Sequence, residues 1–122
     1  MDNKCIFCNM NDYIKENDLT YAIYDIYPVN TGHILIIPKR HVSDFFDISK
    51  DERESMFSLL DEVKEIIDEQ YSPDGYNIGL NCGRGAGQTV MHVHMHLIPR
   101  YIGDIKDPRG GVRGVIPSKM KY

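Results

Sequence analysis

His92, His94 and His96 stand at alternate positions in Met91-His-Val-His-Met-His-Leu-Ile-Pro-Arg100, so one short apolar segment carries three of the chain's five histidines. Imidazole is the side chain best suited to act as nucleophile, acid or ligand near neutral pH. Alternation is the period of a β-strand, whose successive side chains face opposite ways. The pattern therefore predicts the three histidines on one face, with Val93, Met95 and Leu97 on the other. At a rise of about 3.4 Å per residue, neighbouring rings stand roughly 7 Å apart and can all address one ligand. A half-buried strand with a polar face explains one such histidine, but not three in register. The chain enters this segment through Asn81-Cys-Gly-Arg-Gly-Ala-Gly-Gln-Thr89. Glycines there let backbone N–H groups approach an anion closely, so the loop is expected to form an oxyanion cradle beside a nucleophile.

Cys5-Ile-Phe-Cys8 is a second constellation. A Cys-x-x-Cys pair can be redox-active, metal-binding or idle. Redox use of the thioredoxin type wants the pair at a helix start after a strand, a context this region does not offer. Zinc needs two further ligands, and His41 and His92 are available. Four protein ligands make a closed, structural site. A rival arrangement, catalytic zinc on His92, His94 and His96, leaves the Gly-Gln-Thr lead-in without a role.

The elements that must position these groups follow from pattern. Segments 21–25 and 33–38 read as strands joined by a turn at 28–32, and 76–80 and 94–101 as two more. Ser49-Lys-Asp-Glu52 is a capping box opening a long helix. Met56, Leu59, Leu60, Val63, Ile66 and Ile67 keep helical spacing until Ser72-Pro-Asp-Gly75, and that stripe is core. Antiparallel strands interrupted by one long helix indicate the α+β class.

At 122 residues the chain is expected to be one domain over 1–122, with a basic, glycine-rich tail from about 101 to 122. Arg100, Arg109, Arg113 and Lys119 of that end either meet polyphosphate oxygens or are simply solvated. A net charge of −4 argues against nucleic acid or an anionic membrane surface as partner, yet leaves room for a small anion held locally. The first residues lack a signal-peptide stretch, and the longest apolar run, 34–37, is too short to span a bilayer. Three cysteines make no secreted disulfide framework, so the expected location is cytoplasmic.

Two blocks carry a resemblance. Gly87-Gln-Thr-Val-Met-His-Val-His-Met-His-Leu-Ile-Pro-Arg100 resembles the signature of the histidine triad (HIT) family, His-φ-His-φ-His-φ-φ after Gly-Gln-Ser/Thr. Asp25-Ile-Tyr-Pro-Val-Asn-Thr-Gly-His-Ile-Leu-Ile-Ile-Pro-Lys-Arg-His41 resembles the family's other hallmark. The likeness runs from Cys5 to about Arg100. It implies the HIT fold: a five-stranded antiparallel sheet with one long and one short helix, extended across a homodimer.

The resemblance also implies roles. His94 is the nucleophile, His96 contacts the phosphate, and His33 orients or polarises His96. Gln88 and Thr89, with Gly87 beside them, hold the bridging oxygen and the α-phosphate. Asn81 reaches the phosphate and sugar, Asp25 accepts the ribose hydroxyls, and Ile23 and Ile26 flank a purine base. Cys5, Cys8, His41 and His92 close a structural zinc site. The activity implied is hydrolysis at the α-phosphate of a purine nucleotide derivative, a dinucleoside polyphosphate or an adenylylated compound. A neutral imidazole avoids the charge repulsion that slows hydroxide, and a covalent nucleotidyl-histidine divides one hard step into two. An adenosine 5'-monophosphoramidase of the Hint branch is the alternative enzyme. A zinc-stabilised nucleotide-binding regulatory module is the alternative from another class, and the intact His94 argues against it.

Overall fold

The computed structural model describes residues 4–122. Five strands form one antiparallel sheet: β1 (Lys15–Glu16), β2 (Thr20–Tyr24), β3 (Ile34–Pro38), β4 (Gly75–Leu80) and β5 (Met95–Arg100). Their order across the sheet is β1-β2-β3-β5-β4, with α1 (Lys50–Tyr71) crossing between β3 and β4 in the chain. β5, the strand that carries His96, is thus held on both sides. Leu35 faces His96 from β3, and Gly79 faces it from β4.

β3 is buried at every position, which explains its unbroken Ile-Leu-Ile-Ile run. A strand covered on both faces has no polar side to show. On one face Ile34 and Ile36 join Ala22, Met95 and Leu97 against Met56, Leu59, Val63 and Ile67 of α1. On the other, Leu35 and Ile37 join Tyr21 and Ile23 against Cys5 and Phe7. Each such aliphatic side chain stabilises the fold by about 1.5–3 kcal/mol. The N-terminal turn Ile6–Cys8 is therefore the lid of the second face, not a loose end.

α1 starts where the capping box predicts. Glu52 N–H donates to Ser49 Oγ, and Ser49 N–H donates to Glu52 Oε1. Arg40 adds a two-pronged pair to the same carboxylate, at 2.8 and 3.1 Å, which ties the segment before His41 to the helix start. That partner, with the backbone and hydroxyl of Ser49, holds the Glu52 carboxyl below its usual range against the opposing effect of burial. Gly32 sits at φ +92°, and a Cβ there would press on Tyr71 and Pro99, so the turn that delivers His33 needs glycine.

Three features depart from the sequence pattern. β1 is two residues of Lys-Glu, with no apolar alternation to announce it. No second α-helix occurs among the described residues; the short helical pieces are 3₁₀ turns at Ile6–Cys8, Phe45–Asp47, Arg84–Ala86, Gly111–Val115 and Pro117–Lys119. The last strand begins at Met95, so only His96 of the three histidines lies within it. No helix among the described residues is long and apolar enough to cross a membrane.

Candidate active site

His92, His94 and His96 keep the alternation of the sequence but go to two different places. Val93, Met95 and Leu97 are buried in the core against α1, which turns the histidines to the opposite side. His92 is fully buried. Its Nε2–H donates to the Pro38 carbonyl at 2.7 Å, which leaves Nδ1 unprotonated. That Nδ1 lies 3.4 Å from Cys5 Sγ, 3.5 Å from Cys8 Sγ and 3.2 Å from His41 Nδ1. Cys8 Sγ and His41 Nδ1 are 3.2 Å apart. Tetrahedral zinc, with Zn–S about 2.3 Å and Zn–N about 2.0–2.1 Å, requires ligand edges of roughly 3.3–3.8 Å. Two sulfurs and two imidazole nitrogens at this spacing fit such an ion, and a second-sphere carbonyl already orients one of them.

His94 turns outward. Its Nδ1–H donates to the His92 carbonyl at 2.8 Å, so Nε2 keeps its lone pair. The ring lies 5.1 Å from the Phe7 ring and 5.3 Å from that of His96. His96 is set by a relay that starts in the backbone. Val29 N–H donates to His33 Nδ1 at 3.0 Å, which places the His33 proton on Nε2. His33 Nε2–H then donates to His96 Nδ1 at 2.9 Å, leaving His96 with Nε2–H. One ring offers a lone pair and its neighbour offers an N–H. That pairing suits attack at phosphorus with a donor for a developing oxyanion.

Burial is the main reason His33 and His96 are neutral. It lowers the His96 pKa to about 4, helped by His94 and His33 and opposed by Asp25. Burial also lowers that of His33, again against Asp25. Asp25 Oδ2 lies 3.5 Å from His33 Nε2, while its Oδ1 accepts from Tyr27 N–H at 2.9 Å. Asp25, His33 and His96 converge closely enough to suggest a second metal set. The relay argues against that use, because a metal on His33 Nε2 would move its proton to Nδ1, facing the Val29 N–H.

His94 and His96 open on a cleft of about 270 Å³. Asp25, Ile23, Ile26, Asn81 and Thr89 line it, as do Ile6, Phe7, Met10, Tyr27, Leu35 and Val90. His33, Gly87 and Gln88 do not. Gln88 is only 4% exposed: its Oε1 accepts from Gly83 N–H, and its amide donates to the Ser43 and Val90 carbonyls. The N–H groups of Ala86, Gly87 and Gln88 also close bonds within the loop. The glycine loop is thus a self-bonded turn braced by Gln88, with the N–H groups of Gly83, Ala86, Gly87 and Gln88 bonded within it. Ile6, Phe7 and Met10 were hidden in the sequence because Cys-x-x-Cys draws attention to its ends.

The arginines of this end of the chain are occupied elsewhere. Arg100 binds Asp104 and Asn77, Arg109 binds Asp107, and Arg113 donates to the Lys119 carbonyl while lying over Tyr122. Gly110 at φ +92° allows the fold-back, since a Cβ there would collide with the Met120 carbonyl. The tail walls a second hollow of about 410 Å³ with Val112 and Val115, and this hollow shares His96 and Asn81 with the first. A larger depression near Asp74, Arg100 and Asp104 contains no histidine or cysteine.

Comparison with known proteins agrees with this arrangement. An uncharacterized HIT-like protein of Methanocaldococcus jannaschii is 40% identical over 106 residues, 82% of this chain and 81% of that one. An AP-4-A phosphorylase of Mycobacterium tuberculosis is 34% identical over 75% of this chain and 47% of its own length. A bis(5'-adenosyl)-triphosphatase of Dictyostelium discoideum is 36% identical over 68% and 56%. The chain thus spans about half the length of those two enzymes. Among solved structures, a HIT family protein from Bacillus anthracis superposes with a TM-score of 0.79 at 35% identity, covering 85% of this chain and 78% of that one. A Zn-bound histidine triad family protein from Mycobacterium smegmatis gives 0.76 at 33% identity, covering 84% and 80%. Residues 9–103 match the HIT domain. With the sheet order, the paired imidazoles and this match in agreement, the chain belongs to the HIT family.

Proposed function

We propose that this chain hydrolyses purine nucleotide derivatives at the α-phosphate through a covalent intermediate on His94. One observation carries the reading: His94 Nδ1–H is committed to the His92 carbonyl, so Nε2 is the reactive nitrogen at the cleft. In the first step Nε2 forms a bond to the α-phosphorus and the bond to the leaving group breaks. His96 Nε2–H donates to the phosphoryl or leaving-group oxygen. In the second, water attacks the nucleotidyl-histidine, the N–P bond breaks, and the nucleoside monophosphate leaves with His94 restored. Asp25 accepts from the ribose hydroxyls, and Ile23, Ile26 and their apolar neighbours take the base. The two relatives named for bis-adenosyl polyphosphate chemistry support this class.

An adenosine phosphoramidase is the second reading, and a specific observation favours it. No Lys or Arg lines either hollow that contains His96. A polyphosphate leaving group would carry several charges into that space, whereas an amine would carry none of them. Cys5, Cys8, His41 and His92 hold a structural zinc in this reading; when bound, the ion stabilises the fold and keeps the His92 carbonyl in place. The chain acts as a homodimer, for which β4 supplies an edge strand with its Ile78 exposed. Turnover measured side by side on dinucleoside polyphosphates and adenosine phosphoramidates, with mass detection of nucleotidylated His94, tests the proposal. Hydrolysis of neither class, with no adduct on His94, would refute it.

A further inference from the structure

The turn that carries Cys5 and Cys8 is also a wall of the cleft. Between the two cysteines lie Ile6 and Phe7, and both line the cleft with His94, as does Met10 just beyond. Phe7 is only 7% exposed. Its ring meets His92 edge-on at 6.0 Å and His94 at 5.1 Å, so it touches one donor of the cysteine–histidine cluster and the reactive ring alike. Its carbonyl accepts from the Tyr21 hydroxyl, which pins the turn to β2. A second route runs through one residue. The His92 ring belongs to the cluster, while its backbone carbonyl receives the His94 proton. Both routes are short, and both end on groups that a bound nucleotide must touch.

We infer that metal binding at Cys5, Cys8, His41 and His92 and nucleotide binding in the cleft reinforce each other, with Phe7 as the positioning residue between them. The inference rests on the proposed zinc and nucleotide sites and adds a coupling between them. Joining Cys5 to Cys8 through one ion fixes the three-residue turn, and with it the faces that Ile6 and Phe7 present to the base. A base packed on those faces in turn resists opening of the turn, which is the motion that frees the cysteines. Linkage makes the effect mutual: the factor by which the metal tightens nucleotide is the factor by which nucleotide tightens metal.

The test uses the metal-loaded protein and adenosine monophosphate, whose binding is first measured by calorimetry. Zinc transfer to a coloured chelator is then timed with and without saturating nucleotide. Transfer should slow on the order of fivefold or more when nucleotide is bound. Phe7→Ala, at nucleotide concentrations that saturate it, should still carry one zinc but lose that slowing. Ile6→Ala removes a half-exposed side chain of the same wall and should weaken the slowing even if Phe7→Ala fails to fold. Equal transfer rates in a protein that binds adenosine monophosphate would overturn the coupling and leave the proposed reaction standing. Slowing that is the same in the parent and both variants would overturn the role of the turn. No binding of the nucleotide would overturn the proposed function and the coupling together.

Discussion

Two histidine clusters lie side by side in this molecule and are built for opposite ends. The first joins His92 and His41 to Cys5 and Cys8, with Cys5 and His92 buried, His41 exposed and four donor atoms converging on one point. The second sets His94, His96 and Asp25 on a cleft, with the buried His33 paired to His96 and Asp25 behind them. His92 and His94 are two residues apart and have the same ring. What separates them is which nitrogen the backbone takes. The Pro38 carbonyl accepts from His92 Nε2–H, so its Nδ1 turns to the cysteines; the His92 carbonyl accepts from His94 Nδ1–H, so its Nε2 keeps a free lone pair. In the proposed function, a backbone carbonyl thus decides whether an imidazole serves as ligand or as nucleophile.

The sharpest way to break this comparison is at His94. His94→Ala should lower turnover by about a thousandfold or more while nucleoside monophosphate still binds, and imidazole added to His94→Gly should restore part of it. Steady-state rates beside calorimetric affinity make the check, and undiminished turnover would remove the covalent route. The mirror experiment strikes the other cluster. Replacing Cys5 and Cys8 by Ser should leave protein without stoichiometric zinc and lower Tm by roughly 10 °C or more, since a closed site contributes folding energy. Elemental analysis with thermal melts would show this, and a metal-free protein with unchanged Tm would deny the cluster its structural role.

A smaller effect belongs to Asp25. Asp25→Ala should weaken adenosine monophosphate by about tenfold or more, from loss of a charged hydrogen bond of about 1.5–3 kcal/mol. A dideoxy analogue should lose much less. Equal losses would mean that Asp25 supports the His33 relay instead of the ribose. Acid gives the mildest contrast. The folded pKa values of His33 and His96 lie below the ordinary value, about 4 for His96, so the unfolded chain binds more protons between about pH 6.5 and 4. Stability conferred by the neutral rings is therefore full above that window and declines as pH falls through it. Tm should drop by a few degrees from pH 7 to pH 5 in excess of a His96→Asn protein, whose decline should be shallower. Parallel declines would mean that His96 is not held neutral by the fold.

Much of this molecule was legible in one dimension. The alternation through residues 92–97, the capping box at Ser49 and Glu52, the helical stripe of α1 and the apolar run of β3 are local signals, and each reports a backbone period or a cap satisfied within a few residues. The HIT family follows from the same short blocks, and with it the class of sheet. Other features could not be read this way. The strand β1 exists only because β2 offers it a partner, the last strand starts only at Met95, beyond His92 and His94, and Gln88 spends its side chain on carbonyls at 43 and 90. The tail's arginines look ready for phosphate in sequence, yet their own chain supplies nearer acceptors. Residue type and spacing determined which groups could do chemistry here. Tertiary structure decided which nitrogen of each ring holds the proton, which amides are already bonded, and that Ile6 and Phe7, between the two cysteines, line the cleft with His94, because those outcomes depend on partners brought together from distant parts of the chain.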